Sequence, residues 1–365
     1  MYSQQDLDEA VAAGAISADS ADQLRSYVER TRSTSAVDEE QFRLITGFND
    51  IFVTIASAIL LFATGWIGQS VGQALGLTIE VGGPSPLAPT AIAATAWSLA
   101  LFFTAKRRMA LPSIVLLLAF IGGVLATTGF TLVLALGEQS LNNNAPLGGI
   151  LAAISGAVAA GAAYLHWKRF HVPITVAAGA ASAALIAVAL LAAMLGERIE
   201  DMQTLLLGFV LLLGVAMFLF AMRWDSSDPK RETRRSDVAF WLHLLAAPMI
   251  VHPVFTLLGL NDGNATIGEG LVVIALYVVL GVTALAIDRR ALLVSALAYV
   301  LYALTELFKQ LGAVELNVAL TALVIGSALL MLSAFWHQAR EAVVTRLPGA
   351  LRSHLPEIHR LPIAA

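Results

Sequence analysis

The residues best suited to chemistry stand in an apolar run, WLHLLAAPMIVHPVF, at 241–255. The run contains His243, His252, Pro248 and Pro253. An imidazole in such a place is a candidate proton donor and acceptor, because histidine titrates near neutral pH. The two histidines are nine residues apart, which puts them half a turn from each other on a straight helix. We therefore expect them not to share a metal ion, and we predict no metal site or cofactor.

A second polar face lies in the segment at 291–308 and just beyond it. Its members recur every three or four residues and are Ser295, Tyr299, Tyr302, Glu306 and Lys309. Residues at this spacing share one side of a helix, and in a membrane that side must face the bundle or a wet cavity. Glu306 has two interpretations: a carboxylate that binds a proton or cation, or a group near the outer end that pairs with Lys309.

The two segments place His252 and Glu306 at similar depth. Counted from the predicted cytoplasmic starts of their segments, they lie about 21 Å and about 22 Å along the helix axis. We therefore hypothesise a carboxylate–imidazole pair that binds a proton or cationic group. In the alternative, His252 only donates to the Met249 carbonyl, which Pro253 leaves without its helical partner. His243 is expected to make a hydrogen bond inside the bundle or at the interface.

The composition shows what kind of elements must position these residues. The chain has 365 residues, of which 58% are hydrophobic and 13% charged, and its mean hydropathy is +0.77. This exceeds the roughly 45–50% apolar content of soluble domains and predicts an integral membrane protein. Apolar runs long enough to cross a bilayer recur ten times. They lie near 51–72, 90–105, 111–136, 147–165, 172–195, 203–222, 238–258, 269–287, 291–308 and 317–336.

The distribution of positive charge predicts the topology. Every Lys and Arg except Arg198 and Lys309 falls on one side of a ten-span alternation. Because cytoplasmic loops retain Lys and Arg, we predict an all-α, polytopic membrane protein with ten transmembrane helices and both termini in the cytoplasm.

The two ends of the chain are more polar than the predicted bundle at 47–337. Residues 1–46 predict a cytoplasmic helical hairpin, with a first helix that ends at Gly14 and a second that is capped by Ser17. It is interpreted as a cap on the cytoplasmic loops or as a module that binds a protein partner. Residues 338–365 predict an interfacial amphipathic tail on anionic headgroups, with docking to a partner as the alternative.

Both ends carry weak motifs, LDEAVAAGAIS at 7–17 and WHQAREAVVTRLPGALRSHLP at 336–356. With these ends and its hydropathy plan, the chain resembles a family of uncharacterised bacterial multi-span inner-membrane proteins that begin with a Gly-x-Ile-Ser helical hairpin. The resemblance implies a bacterial inner membrane. Since that family has no established activity, it implies no functional residues.

Small residues predict close helix packing. Gly68, Gly72 and Gly76 form a ridge on the first span, and Gly156 lies in a row of small residues on the fourth. Such rows let two helix backbones approach each other in lipid.

The motifs that are absent from the sequence exclude several classes of function. The chain has no cysteine, so thiol chemistry and disulfides are excluded, and no phosphate-binding loop, zinc-protease motif or nucleophile elbow occurs. We predict that the protein is not an enzyme and binds no nucleic acid. The leading expectation is a permease for a small solute or ion, with a polar cavity near spans seven and nine. The alternative is a non-transporting scaffold, sensor or assembly factor that acts through the hairpin and tail.

Overall fold

The computed structural model of the chain is built from α-helices, and no strand occurs among the residues it describes. Those residues are 11–14, 16–24, 26, 48–142, 144–199, 201–228, 233–259, 267–310, 316–352 and 355. Most of the predicted hairpin at 1–46 and the last ten residues of the predicted tail lie outside the described residues.

Ten long helices run through the described part of the chain, and an eleventh, shorter helix follows them. They are α1 (Phe48–Ala74), α2 (Leu87–Phe103), α3 (Ala110–Leu136), α4 (Ala145–Phe170), α5 (Ile174–Leu195), α6 (Gln203–Ser226), α7 (Arg234–Leu257), α8 (Ile267–Ile287), α9 (Ala291–Gln310), α10 (Asn317–Ala334) and α11 (Trp336–Val344).

Eight helices of the described chain are long and apolar enough to cross a membrane, namely α1, α3, α4, α5, α6, α7, α8 and α10. This is the architecture of a polytopic membrane protein. The other two long helices also lie on predicted spans. Helix α2 is apolar but has only 17 residues, and α9 has 20 residues. The count of ten spans stays a prediction.

Helix α7 lies at the centre of the packing. It contacts α5, α6 and α9, and so joins the first five helices to the later ones. Half of its most apolar window is buried, against 11% for α6. Since a buried helix surface must match its neighbours closely, the position of α7 is constrained by helices on both sides of it.

Helix α7 is continuous through Pro248 and Pro253. A proline has no backbone N–H, so the carbonyl of Met249 cannot accept the usual bond from residue 253. The structure sets Gly214 of α6 against this point: a Cβ atom there would lie 2.8 Å from the Met249 carbonyl carbon. The glycine thus lets α6 pack directly on the α7 backbone.

Other glycines also lie close to neighbouring groups. A Cβ atom on Gly68 would lie 2.5 Å from the carbonyl oxygen of Leu87, and one on Gly156 would lie 2.9 Å from Ile186. At Gly72 an added methyl group would collide with Ser85. Gly76 lies in a turn. It lies beyond the end of α1 with a φ of +70° and no atom near its Cβ position, so it serves the turn.

One end of the bundle collects positive charge. The ends of α2 and α4 and the starts of α3, α5 and α7 meet around one cavity there, with Arg108, Arg169 and Arg234 in its wall. We call this the basic end. The connection between α8 and α9 reaches it as well, because Arg289 bonds to Ser236 near the start of α7.

Part of the N-terminal region, residues 11–14, 16–24 and 26, is also described. Gly14 has a φ of +70°, and the amide of Ser20 donates to the Ser17 hydroxyl oxygen over 3.1 Å. Both belong to a helix end followed by a capped helix start.

Candidate functional site

The residues that the sequence singled out on spans seven and nine do not form a described site. His252 is exposed on α7, and its backbone oxygen accepts a bond from the Thr256 hydroxyl. Tyr302 on α9 is 37% exposed. The side chains of Tyr299, Glu306 and Lys309 lie outside the described residues. A contact between His252 and Glu306 therefore stays a prediction.

His243, in contrast, belongs to a dry cluster of charged groups near the basic end. Its partner is Asp225 in the last turn of α6, and the two are joined by Arg289 from the connection between α8 and α9. These three residues are 0%, 1% and 2% exposed. Ser236 of α7 completes the set. We call these four residues the ion cluster.

The Asp225 carboxylate is held through both of its oxygens. Its Oδ2 is 3.0 Å from His243 Nε2 and accepts a bond from Arg289 Nε over 3.2 Å, while an Arg289 terminal nitrogen donates to Oδ1. The guanidinium thus forms a bidentate, charge-assisted pair with the carboxylate. The same terminal nitrogen also donates to the backbone oxygen and the hydroxyl of Ser236, over 3.1 and 3.2 Å.

Local structure explains why these groups meet. Ser236 and His243 are seven residues apart, or two turns of α7, so both face the same side. Arg289 follows Asp288, whose φ of +57° ends α8 in a left-handed turn, and the Arg289 amide bonds back to the Ala284 carbonyl over 2.8 Å. Asp tolerates this conformation better than most residues. The turn directs the arginine side chain into the bundle.

The arrangement balances charge in a place that is closed to bulk solvent. One carboxylate and one guanidinium cancel while His243 is neutral and its Nε2–H donates to Asp225. Removing either charged partner would leave the other buried and alone, which is strongly unfavourable. A second proton on His243 would give the cluster a net positive charge. The cluster can therefore respond to one proton with a change of net charge in a dry site.

A second contact network starts from the same connection. Asp288 Oδ1 accepts a bond from Trp336 Nε1 over 2.7 Å and lies 3.7 Å from Arg340 Nε. The Arg290 guanidinium stands 4.8 Å above the Trp336 ring. These contacts hold α11 against the bundle, with Trp336, Arg340 and Val344 buried. Residues 288–290 therefore link α11 to the ion cluster.

Another buried histidine lies among the first five helices. His166 is fully buried and its Nδ1 is 3.2 Å from the Thr175 hydroxyl. Its ring packs against Phe170, with centroids 4.5 Å apart. With no charged group among its described contacts, it fits a structural role better than a proton-handling one.

Sequence reasoning missed Asp225 and Arg289 as functional residues. Asp225 ends an apolar run beside Arg223 and Trp224, where an acid is easily taken for a solvated helix end. Arg289 and Arg290 were used only as two of the positive charges that predict a cytoplasmic loop between spans eight and nine. One sequence feature could have indicated the pair: Asp225 follows predicted span six and His243 lies near the start of predicted span seven, so both are at the same side of the predicted membrane.

No group of three or more His, Cys, Asp or Glu side chains in the described part of the chain could hold a metal ion. Comparisons with protein families, with curated proteins and with solved structures give no match for this chain.

Proposed function

We propose that the protein is a permease for a small solute or ion, driven or gated by a proton at the ion cluster. In this proposal ten helices span a bacterial inner membrane and both termini are cytoplasmic, so the basic end faces the cytoplasm. The observation that carries the proposal is the Asp225–His243–Arg289 cluster. Asp225 and Arg289 lie at the cytoplasmic ends of the predicted spans, yet both are buried there. Buried ionisable groups are costly, and such clusters are candidates for functional sites.

The cluster suggests how a proton would act. With His243 neutral, Asp225 and Arg289 hold α6, α7 and the α8–α9 connection together. A proton on His243 places a second positive charge beside Arg289, in a setting that disfavours net charge. The cluster then gains stability by admitting water or by moving Arg289 away from α7. Either change loosens the basic end.

Helix α7 can transmit that change. It contacts α5, α6 and α9, and it lacks backbone hydrogen bonds at Pro248 and Pro253. A helix with missing internal bonds bends more easily at those points. Protonation at its start can therefore alter its fit along its whole length.

The direct test is solute-dependent proton movement in proteoliposomes that contain a trapped pH dye. A panel of carboxylates, phosphates, amines and neutral sugars is added outside, and the internal pH is recorded. We expect at least one solute to move protons with the wild-type protein, and His243→Gln and Asp225→Asn to abolish that movement. The matched control is His252→Gln, a histidine on the same helix, which should retain it.

Two results would contradict the proposal. One is a wild-type protein that moves no protons with any member of the panel. The other is a His243→Gln protein that equals the wild type. Loss of movement in His252→Gln and Glu306→Gln, with His243→Gln active, would assign the site to the pair suggested by the sequence.

The second candidate function is a non-transporting scaffold or sensor. The docking of α11 through Trp336 and Arg340 favours it, because a helix held at the basic end could present a surface to a partner. Deleting residues 1–40 separates the two candidates. A permease should keep its proton movement without them, whereas a scaffold that acts through the hairpin should lose its function.

A further inference from the structure

The cavity at the basic end has a volume of about 480 Å³ and is lined by other residues than those of the ion cluster, although the charge of its Asp237 interacts with that of Arg289. Helix α7 separates the two. Arg234, Asp237 and Trp241 line the cavity and recur at intervals of three and four residues, so they share one side of the helix. Ser236 and His243 are on the far side. A ligand in this cavity would therefore lie against the helix that carries the proton site without touching that site.

The wall of the cavity carries an excess of positive charge. Arg108, Arg169 and Arg234 line it, against a single carboxylate from Asp237. The three arginines are exposed, and none makes an ion pair with a carboxylate within 4 Å in the described part of the chain. The Arg169 guanidinium lies 5.6 Å over the Phe170 ring, and Arg234 interacts electrostatically with Asp237; neither contact neutralises the excess positive charge of the wall.

Helix starts add to this positive character. The first turns of α3, α5 and α7 all reach the cavity wall. Neither α3 nor α5 has a side-chain cap. The amides of Thr175, Val176 and Ser113 donate to backbone oxygens, and Pro112 has no N–H, so these helix starts contribute mainly their positive partial charge, which favours an anion.

Thr104 adds an unpaired polar group to the cavity wall. It lines the cavity and is only 8% exposed, and its hydroxyl group makes no hydrogen bond to the protein. Buried hydroxyl groups are normally paired. Because the hydroxyl oxygen has almost no accessible surface, a ligand atom would reach it only with a small movement of the wall.

We propose that the cavity binds a phosphate group. A phosphate presents several oxygens and up to two negative charges, and so matches three guanidinium groups, which bind such oxygens in pairs. A cavity of this volume falls in the usual range for small-molecule sites, roughly 300–1,000 Å³. The phosphate can belong to a soluble compound or to the headgroup of an anionic lipid, since the basic end lies where headgroups lie.

The test measures binding to the full-length protein with two probes. Radiolabelled inorganic phosphate is titrated against the protein in lipid nanodiscs of phosphatidylcholine. Separately, native mass spectrometry counts the phosphatidic acid retained by detergent-purified protein, with phosphatidylcholine as the reference lipid. We expect saturable binding of at least one probe. Phosphate alone would identify a soluble ligand, and phosphatidic acid alone would identify a lipid; both results support the phosphate site.

The chain offers matched controls for the arginines. Arg107 and Lys168 are exposed neighbours of Arg108 and Arg169 but are not part of the cavity wall. Arg108→Gln and Arg169→Gln should each weaken binding about tenfold or more, as expected for a lost charge-assisted pair of about 1.4 kcal/mol. Arg107→Gln and Lys168→Gln should change it less than about twofold, the screened effect of a surface charge.

Thr104→Val tests the buried hydroxyl without changing charge or shape, and should weaken binding by a few-fold. Three results would overturn the proposal: no saturable binding of either probe, equal losses in the control variants, or full binding by both cavity arginine variants. None of these readouts requires transport, so the phosphate site can fail or stand independently of the permease proposal.

Discussion

The Asp225 carboxylate is buried and contacts two other ionisable side chains. It contacts the His243 imidazole and the Arg289 guanidinium in a space that is closed to bulk solvent. A group of this kind is stable only while its partners stay in place. The contacts of Asp225 therefore stabilise the basic end, and breaking them would free the elements that they join.

Replacing Arg289 with alanine should destabilise the protein strongly. The change leaves Asp225 buried without its main partner, a defect of about 3–5 kcal/mol. Thermal unfolding of the purified protein, followed by tryptophan fluorescence, measures the loss. Arg290→Ala is the matched control, because Arg290 is exposed over the Trp336 ring and its contact contributes only about 0.5–1 kcal/mol.

The same experiment has an internal check. In the double variant Asp225→Asn/Arg289→Ala the unpaired charge is gone, so part of the lost stability should return. If the Arg289→Ala variant unfolds at the same temperature as the Arg290→Ala variant, or above it, Arg289 does not stabilise Asp225 as described.

For individual residues, the sequence predicted which residue types could act in a site better than it predicted the contacts of those residues. Helical phase and depth could show that His243 and His252 face different directions. They could not show that the α8–α9 connection carries Arg289 into the bundle, because this depends on the left-handed turn at Asp288 and on which helices are neighbours. His252, the favoured residue, is exposed, while His243 is fully buried.

Among the helices, α7 combines prolines, buried polar groups and contacts to both parts of the bundle. Its fit to α6 depends on Gly214, which faces the Met249 carbonyl. Apolar runs and Gly spacing predicted helices and close approaches. The sequence could not pair α6 with α7 through Gly214, since that glycine belongs to no recognisable row.

Gly214→Ala should separate α6 from α7 and lower the temperature of unfolding. A methyl group there has to displace backbone atoms that are 2.8 and 2.9 Å away, and overpacking of this kind costs about 1–3 kcal/mol. Gly208→Ala, on the same helix with nothing within 4 Å of its Cβ position, should leave stability unchanged or slightly improved. Equal unfolding temperatures for the two variants would show that the contact is unimportant.

For the whole molecule, the sequence predicted the helical segments well. The run at 172–195 corresponds to α5 at Ile174–Leu195, and the run at 317–336 to α10 at Asn317–Ala334. These segments follow from length and apolar content alone. The meeting of the basic loops around one cavity agrees with the predicted alternation, but the cavity itself depends on helix neighbours that no local pattern encodes.

The basic end gathers the features that carry the two proposals. The ion cluster and the cavity at the basic end lie on opposite sides of α7, and the α8–α9 connection links the cluster to α11. In the permease proposal, a proton on His243 changes the position of α7 and with it the packing of the bundle. This proton-dependent movement is what the proposal depends on most.

The measurement that tests it most directly uses the absence of native cysteines. Single cysteines replace Ala105 in the cavity wall, Val273, which is 3% exposed on α8, and Ser140, an exposed reference. Labelling by a polar maleimide is measured at about pH 8 and about pH 5, a range in which imidazoles titrate, and each rate is divided by that of the Ser140 cysteine at the same pH. Acidification is expected to change the relative rates at positions 105 and 273 in opposite directions, and His243→Gln is expected to abolish both changes. Relative rates that do not vary with pH, or that vary equally with His243→Gln in place, would contradict it.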